Sequence, residues 1–231
     1  MAAQAIRAIL LDSFGTLVEM APPAPLLRRE LRRRIGVDVG EGAAERAFAA
    51  EIDYYVEHHL EGRDEETLDA LRDRCAAVVA AELGDGELDR ATVRAAMLAS
   101  LRFTAHADAA PALRKLRDGG LRLAVASNWD ASLPEVLERA GLRELVDAVV
   151  ASAAVGAAKP DPALFHAALE AVGASPAEAL HVGDSFERDV AGARSAGVRA
   201  VLLARDGRPG AAGVAAIGSL GELPSLTLPA P

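Results

Sequence analysis

The chain has 231 residues with 34 acidic and 25 basic side chains, and its net charge of −9 argues against a surface built for nucleic acid or an anionic membrane. Its length suits one domain with an insertion or two small ones. A single cysteine, Cys75, excludes an internal disulfide, and no apolar run approaches the roughly 18 residues that span a bilayer.

In chain order, the opening MAAQAIRAILLD lacks a charged segment followed by a long apolar stretch and a cleavage site, so a cytoplasmic setting is expected. The first strand is expected at Ala8–Leu11. From Val18 to about Phe103 there is no strand pattern. That region begins with Met20-Ala-Pro-Pro-Ala-Pro25, read as a stiff linker. Four amphipathic helical patterns follow, roughly 25–36, 42–62, 64–83 and 87–101, broken at Gly36, Gly40, Gly62 and Gly84-Asp-Gly86. Cys75 falls inside one of them and is read as a buried, inert thiol. The Arg28–Arg34 run is read as a solvated helix face, and the adjacent His58 and His59 point different ways, which disfavours a metal pair.

Strands resume at Leu121–Ala126, Ala148–Val150, Ala179–Val182 and Ala200–Leu203, all short, apolar and non-alternating, as in strands covered on both faces. Between them lie helix signals. Ser132 with Glu135 and Ser175 with Glu178 read as capping boxes, Asp161-Pro162 as N-cap and first turn, and Gly173 and Gly197 as stops. The Gly/Pro-rich tail after Arg205 is expected to close over the sheet edge and to carry no chemistry. The fold class is therefore α/β, a Rossmann-like parallel sheet with right-handed crossovers, interrupted after its first strand by an all-helical insertion. Residues 1–17 and 104–231 would form the core, and residues 18–103 the insertion.

In an open parallel sheet, reactive groups gather at the carboxyl ends of the strands. That rule selects Asp12 to Leu17 after the first strand, Ser127-Asn128-Trp129-Asp130 after the second core strand, and Asp184-Ser185 with Asp189 after the strand at 179. Lys159-Pro-Asp-Pro162 lies at the mouth of a helix. Carboxylates on adjacent strands suit a hard cation such as Mg²⁺, and lysine, hydroxyl and backbone N–H groups suit a phosphate or another oxyanion. Asn128 is the sole asparagine and Lys159 one of only two lysines, so both are unlike their surroundings.

Asp12-Ser-Phe-Gly-Thr-Leu17, Ser127-Asn128, Lys159-Pro-Asp-Pro and Gly183-Asp-Ser-Phe-Glu-Arg-Asp189 resemble the four ordered motifs of the haloacid dehalogenase (HAD) superfamily. The insertion after the first motif is similar to that family's C1 helical cap. The resemblance implies that Asp12 is a nucleophile forming an aspartyl ester, that Ser127 holds the transferring group, and that Lys159 neutralises charge. It also implies a Mg²⁺ site from Asp12, the Phe14 backbone carbonyl and Asp184, with Asp189 ordering metal-bound water or Lys159. Substrate contacts would come from the backbone N–H groups of the Phe14–Gly15 turn, which cradle an oxyanion with Thr16 fixing the turn, and from Asn128. The partner is a small anionic substrate, and the assembly a monomer or homodimer.

One position departs from the family's phosphatases. They carry an acid/base aspartate two residues after the nucleophile, where this chain has Phe14. A proton-transfer group of that kind is worth roughly 10²–10⁴-fold. Three readings follow: a Mg²⁺-dependent phosphatase-type hydrolase, a 2-haloacid dehalogenase, in which an aromatic residue stands at this position, or a catalytically weak binding protein. The acidic pair Asp184 and Asp189 favours the first.

Overall fold

The computed structural model describes residues 5–84, 88–207 and 213–227. Its elements begin with β1 (Ala8–Leu11), β2 (Val18–Met20), the helices α1 (Pro23–Ile35), α2 (Glu41–His58), α3 (Glu65–Leu83) and α4 (Arg90–Ser100), and β3 (Phe103–Ala105). They continue through α5 (Ala109–Asp118), β4 (Arg122–Ser127), α6 (Leu133–Arg139), β5 (Ala148–Ala151), α7 (Ser152–Val155) and α8 (Pro162–Val172). The last are β6 (Ala179–Gly183), α9 (Gly192–Ser195), β7 (Arg199–Leu203), β8 (Ala215–Ile217) and α10 (Leu223–Thr227). Two compact units result, Met1–Glu19 with Thr104–Pro231, and Met20–Phe103.

The first unit is built on a six-stranded sheet in the order β5-β4-β1-β6-β7-β8, parallel throughout. From β1 the chain fills one side through β4 and β5, then returns to the other side through β6. The strand order reverses at β1, and a crevice opens there at the carboxyl edge. Leu11 stands opposite Val125 on one side and Val182 on the other. Asp12 therefore leaves the sheet one residue beyond that row, and Ser127 and Asp184 two residues beyond it. Below the edge, Ala8 and Leu10 of β1 and Ala124 and Ala126 of β4 pack against Leu164, Phe165 and Ala168 of α8. Small strand residues against a large helix residue let α8 lie close on the sheet.

The second unit is all helical. Its core takes residues four apart from each helix: Leu27 and Leu31, Ala44 and Phe48, Leu71, Cys75 and Val79, Val93 and Met97. One turn of spacing puts each set on a single face, the pattern of an amphipathic helix packed on its neighbours. Asp64 caps α3 by accepting from the Thr67 amide at 2.9 Å, and Asp89 caps α4 by accepting from the Thr92 amide at 2.9 Å. Cys75 is buried, and His58 and His59 each bond a backbone carbonyl through Nδ1, of Tyr54 at 2.8 Å and Val56 at 2.9 Å.

Several expectations are corrected. The stiff linker is shorter than expected, because Pro23 and Pro25 lie in the first turn of α1, where a missing N–H leaves no bond unmade. The Arg28–Arg34 run is largely the expected exposed helix face, with Arg33 donating to the buried Glu30 at 2.8 Å and Arg28 and Arg32 paired with Asp38. The region from 18 to 103 does contain short strands, since β2 pairs with β3. Ser132 does not cap α6; its hydroxyl donates to Asp130 at 2.5 Å. The tail contributes a sixth strand, β8, paired in parallel with β7. Position 87, residues 85–86 of the Gly84 break, and tail residues 208–212 and 228–231 lie outside the described residues, as do residues 1–4.

Candidate active site

Asp12 directly follows β1, with its amide donating to the Val182 carbonyl at 2.9 Å, so the backbone is held by the sheet up to the carboxylate itself. Ser127, the last residue of β4, donates its hydroxyl to Asp12 Oδ1 at 3.0 Å. Lys159 reaches the same oxygen from the loop before α8, with Nζ 2.5 Å from Asp12 Oδ1 and 2.6 Å from Asp189 Oδ1. Both side-chain bonds to Asp12 fall on Oδ1; among the described residues, no side-chain donor engages Oδ2. One oxygen is anchored and the other presented.

Lys159 is 5% exposed, and burial by itself would discharge its ammonium. The two carboxylates outweigh burial and hold its pKa above the usual lysine value. Burial also opposes ionisation of Asp189, but Lys159 and a bond from His181 keep that carboxyl far below the ordinary carboxylate range. His181 lies in β6, fully buried, with Nε2 3.0 Å from Asp189 Oδ1 and its ring edge against Phe165. An ionised Asp189 can only accept, so Nε2 donates. Ser185 adds its backbone amide to Asp189 Oδ2 at 2.9 Å.

Asp12, Asp184 and Asp189 offer one oxygen each within 4.8 Å of one another. The ammonium of Lys159 pairs with two of these carboxylates, Asp12 and Asp189, and leaves Asp184 without it. The imbalance is felt at Asp184, whose pKa is pushed up to about 6 by burial and by the Asp12 and Asp189 charges. An oxygen-rich, electron-rich cluster of this kind fits a hard divalent cation such as Mg²⁺.

Two glycines make room for the cluster. A Cβ on Gly15 would stand 2.2 Å from Asp184 Oδ2, and Gly15 has φ of +80°. A Cβ on Gly183 would stand 2.1 Å from the Asp189 carboxyl carbon. Any other residue at either position would collide with a carboxylate.

The structure brings Asp12, Ser127, Lys159, Asp184 and Asp189 together, as expected. It revises the expected contacts of Gly15 and Asn128. The Gly15 amide donates to the Val18 carbonyl at 2.9 Å, so it is not available to cradle an oxyanion. The Thr16 amide donates to the Ser13 carbonyl at 3.2 Å within the turn, and the buried Thr16 hydroxyl finds no partner among the described residues. Asn128, expected to touch substrate, bonds the Lys159 main chain with both ends of its amide. Phe14 lies in the same turn as Asp12, bridged to Val18, with 49% of its surface exposed.

Residue-level reading missed His181, hidden inside an apolar strand. A histidine in a strand covered on both faces needs a buried partner, and that need was the available signal. It also missed Arg205, whose guanidinium donates to the Thr16 carbonyl at 2.8 Å and pairs with both oxygens of Asp108 at 2.9 Å.

The sequence profile of the haloacid dehalogenase-like hydrolases matches residues 6–197. Among curated proteins, the chain is 49% identical over 92 residues to the bovine (Bos taurus) haloacid dehalogenase-like hydrolase domain-containing protein 3, covering 40% of this chain and 37% of that protein. It is 45% identical over 109 residues to a phosphoserine phosphatase of Thermus thermophilus, covering 47% of this chain and 44% of that one. The matched stretch thus spans less than half the length of either relative. Among solved structures, a HAD phosphatase from Thermococcus onnurineus aligns over 96% of this chain and 97% of its own, with TM-score 0.65 and 26% identity. An L-2-haloacid dehalogenase from Xanthobacter autotrophicus with chloropropionic acid covalently bound aligns over 96% and 98%, with TM-score 0.69 and 25% identity.

Proposed function

This chain belongs to the haloacid dehalogenase-like hydrolase family, and from that premise we propose that it hydrolyses a small phosphorylated metabolite through Asp12, with Mg²⁺ as cofactor. The observation that carries this reading is the three-carboxylate cluster facing one ammonium. Halide displacement from carbon needs no cation, whereas a phosphoryl group brings negative charge that this edge can bear only with one. The phosphatase names among the relatives support the same choice.

In the reaction, Asp12 Oδ2 attacks phosphorus while Oδ1 stays bonded to Ser127 and Lys159. The bond from phosphorus to the leaving oxygen breaks, and its electron pair departs with that oxygen. Water then cleaves the aspartyl phosphate at phosphorus, releasing phosphate and restoring the Asp12 carboxylate. Lys159 stabilises the charge that builds on the transferring group, and its bond to Asp189 keeps the ammonium in place through both steps. Asp12, Asp184 and the Phe14 carbonyl would hold the cation, which when bound supplies positive charge to the phosphoryl oxygens. Phe14 has no proton to give, so substrates whose leaving group departs as a stable anion are favoured. We read the helical insertion as the cap that selects among them, and place the enzyme in the cytoplasm.

The test is direct. Purified protein should hydrolyse p-nitrophenyl phosphate only with Mg²⁺ present, and Asp12→Asn should abolish the activity. The second reading, a 2-haloacid dehalogenase, draws on Phe14 and on the Xanthobacter autotrophicus neighbour. Halide release from 2-chloropropionate without added metal, with no phosphate release, would establish it and overturn the first.

A further inference from the structure

Asn128 follows Ser127 directly, at the carboxyl end of β4, yet its side chain turns to the chain rather than to the reacting edge. Its Oδ1 accepts from the Lys159 backbone amide at 2.6 Å, and its Nδ2 donates to the Lys159 backbone carbonyl at 3.0 Å. The two bonds replace, for one residue, the ladder that a neighbouring strand would supply. They matter because Lys159 lies in a loop, between α7 and α8, with no strand to fix its main chain. The Lys159 side chain is long and rotamer-rich, so where its ammonium arrives depends on where its Cα begins. Its tip is fixed by Asp12 and Asp189, and its root by Asn128.

We propose that Asn128 is a positioning residue: its amide pins the main chain of Lys159 and so sets the ammonium on Asp12 Oδ1. The inference rests on the assignment of Lys159 to charge stabilisation given above. No other common side chain offers this pairing at this length. Aspartate of the same size keeps the acceptor but sets an oxygen against the Lys159 carbonyl. Glutamine is one methylene too long, and serine too short to span donor and acceptor.

Because the chain holds only Lys115 and Lys159 as lysines, ¹⁵N-lysine labelling gives a spectrum with two backbone amides. In the full-length wild-type protein, the Lys159 amide should exchange slowly with deuterium, as an amide in a short, part-buried bond does. Asn128→Ala should make that amide exchange fast, whereas Asn128→Asp, which retains the acceptor, should leave it slow. In hydrolysis of p-nitrophenyl phosphate, both variants should lose kcat, by roughly tenfold to a hundredfold for the alanine, with KM within about twofold of wild type. In a Lys159→Ala background, Asn128→Ala should cost little more, because the two residues act through one ammonium.

A rise in KM at unchanged kcat would overturn the proposal and return Asn128 to substrate contact. So would unchanged exchange of the Lys159 amide in Asn128→Ala. The exchange measurement needs no turnover, so a protein inert to phosphate esters would refute the proposed function while leaving the clamp itself open to confirmation. Asn128→Asp keeps the size of the side chain and still provides the kcat-against-KM split if the alanine variant fails to fold.

Discussion

At the scale of the residue, the decisive feature is an aromatic ring two positions after Asp12. Phe14 is half exposed beside a cluster that is otherwise carboxylate, hydroxyl and ammonium. If the absent proton donor limits the reaction, Phe14→Asp should raise kcat/KM for an alkyl phosphate relative to p-nitrophenyl phosphate, by about tenfold or more. An unchanged ratio would place the acid elsewhere. Asp12, Ser127 and Asp184 were legible in the sequence because a parallel sheet fixes where its strands end, and strand ends can be read from short apolar runs; Lys159, in a loop before α8, stood out as one of only two lysines. The partners of those residues were not. Asn128 to Lys159 and His181 to Asp189 are pairings decided by loop paths and by burial, which no local pattern encodes. The turn at Gly15 shows the same limit: its glycine was foreseen, but its reason, the closeness of Asp184, belongs to another strand.

At the scale of the element, the helix α2 contains an acid where the pattern asks for an apolar residue. Glu51 of α2 is buried, and its pKa is pushed up to about 7 by that burial, only partly offset by a hydrogen bond with Cys75 of α3. The folded state therefore binds this proton more tightly than the unfolded chain, in which the group titrates near 4.5. Its contribution is fully present below about pH 4.5, and stability declines as pH rises towards 7, by about 3 kcal/mol in all. Glu51→Gln should flatten that slope and raise the melting temperature at pH 8, measured by calorimetry or by urea denaturation across pH. A variant whose stability keeps the wild-type slope would show that Glu51 is ionised in the fold. Helix positions were readable here because apolar residues recur at one-turn spacing. β2, β3 and β8 were not, because three residues carry too little periodicity to stand out from a loop.

At the scale of the molecule, Arg205 and the tail that follows it secure the turn after Asp12. Arg205, just after β7, joins the Thr16 carbonyl to Asp108, and Asp108 also accepts from the Ser219 hydroxyl at 2.8 Å and the Leu220 amide at 2.9 Å. Burial opposes ionisation of Asp108, but these donors prevail and hold its pKa down at about 2. Arg205→Ala should destabilise the fold by about 1–3 kcal/mol at neutral pH. The depressed carboxylate contributes above the unfolded value of 3.8 and ceases to as pH falls through about 2. The deficit of the variant should therefore shrink in acid, and an equal deficit at pH 7 and pH 2 would contradict the ion pair.

The ribbon of β2 and β3 has a different kind of consequence. It is closed at one end by the His106 amide on the Leu17 carbonyl at 3.0 Å and at the other by the Ala21 amide on the Arg102 carbonyl at 2.9 Å. The chain thus departs from the sheet and comes back to it through neighbouring positions, so in polymer terms the helical unit is one long loop whose ends are already tied. Lengthening such a loop is cheap, with a doubling costing only about 0.6 kcal/mol of closure entropy. Evolution, or an engineer, can therefore exchange the helices between Ala21 and Arg102 for others, while the register that sets Asp12 between Ser127 and Asp184 stays as it is.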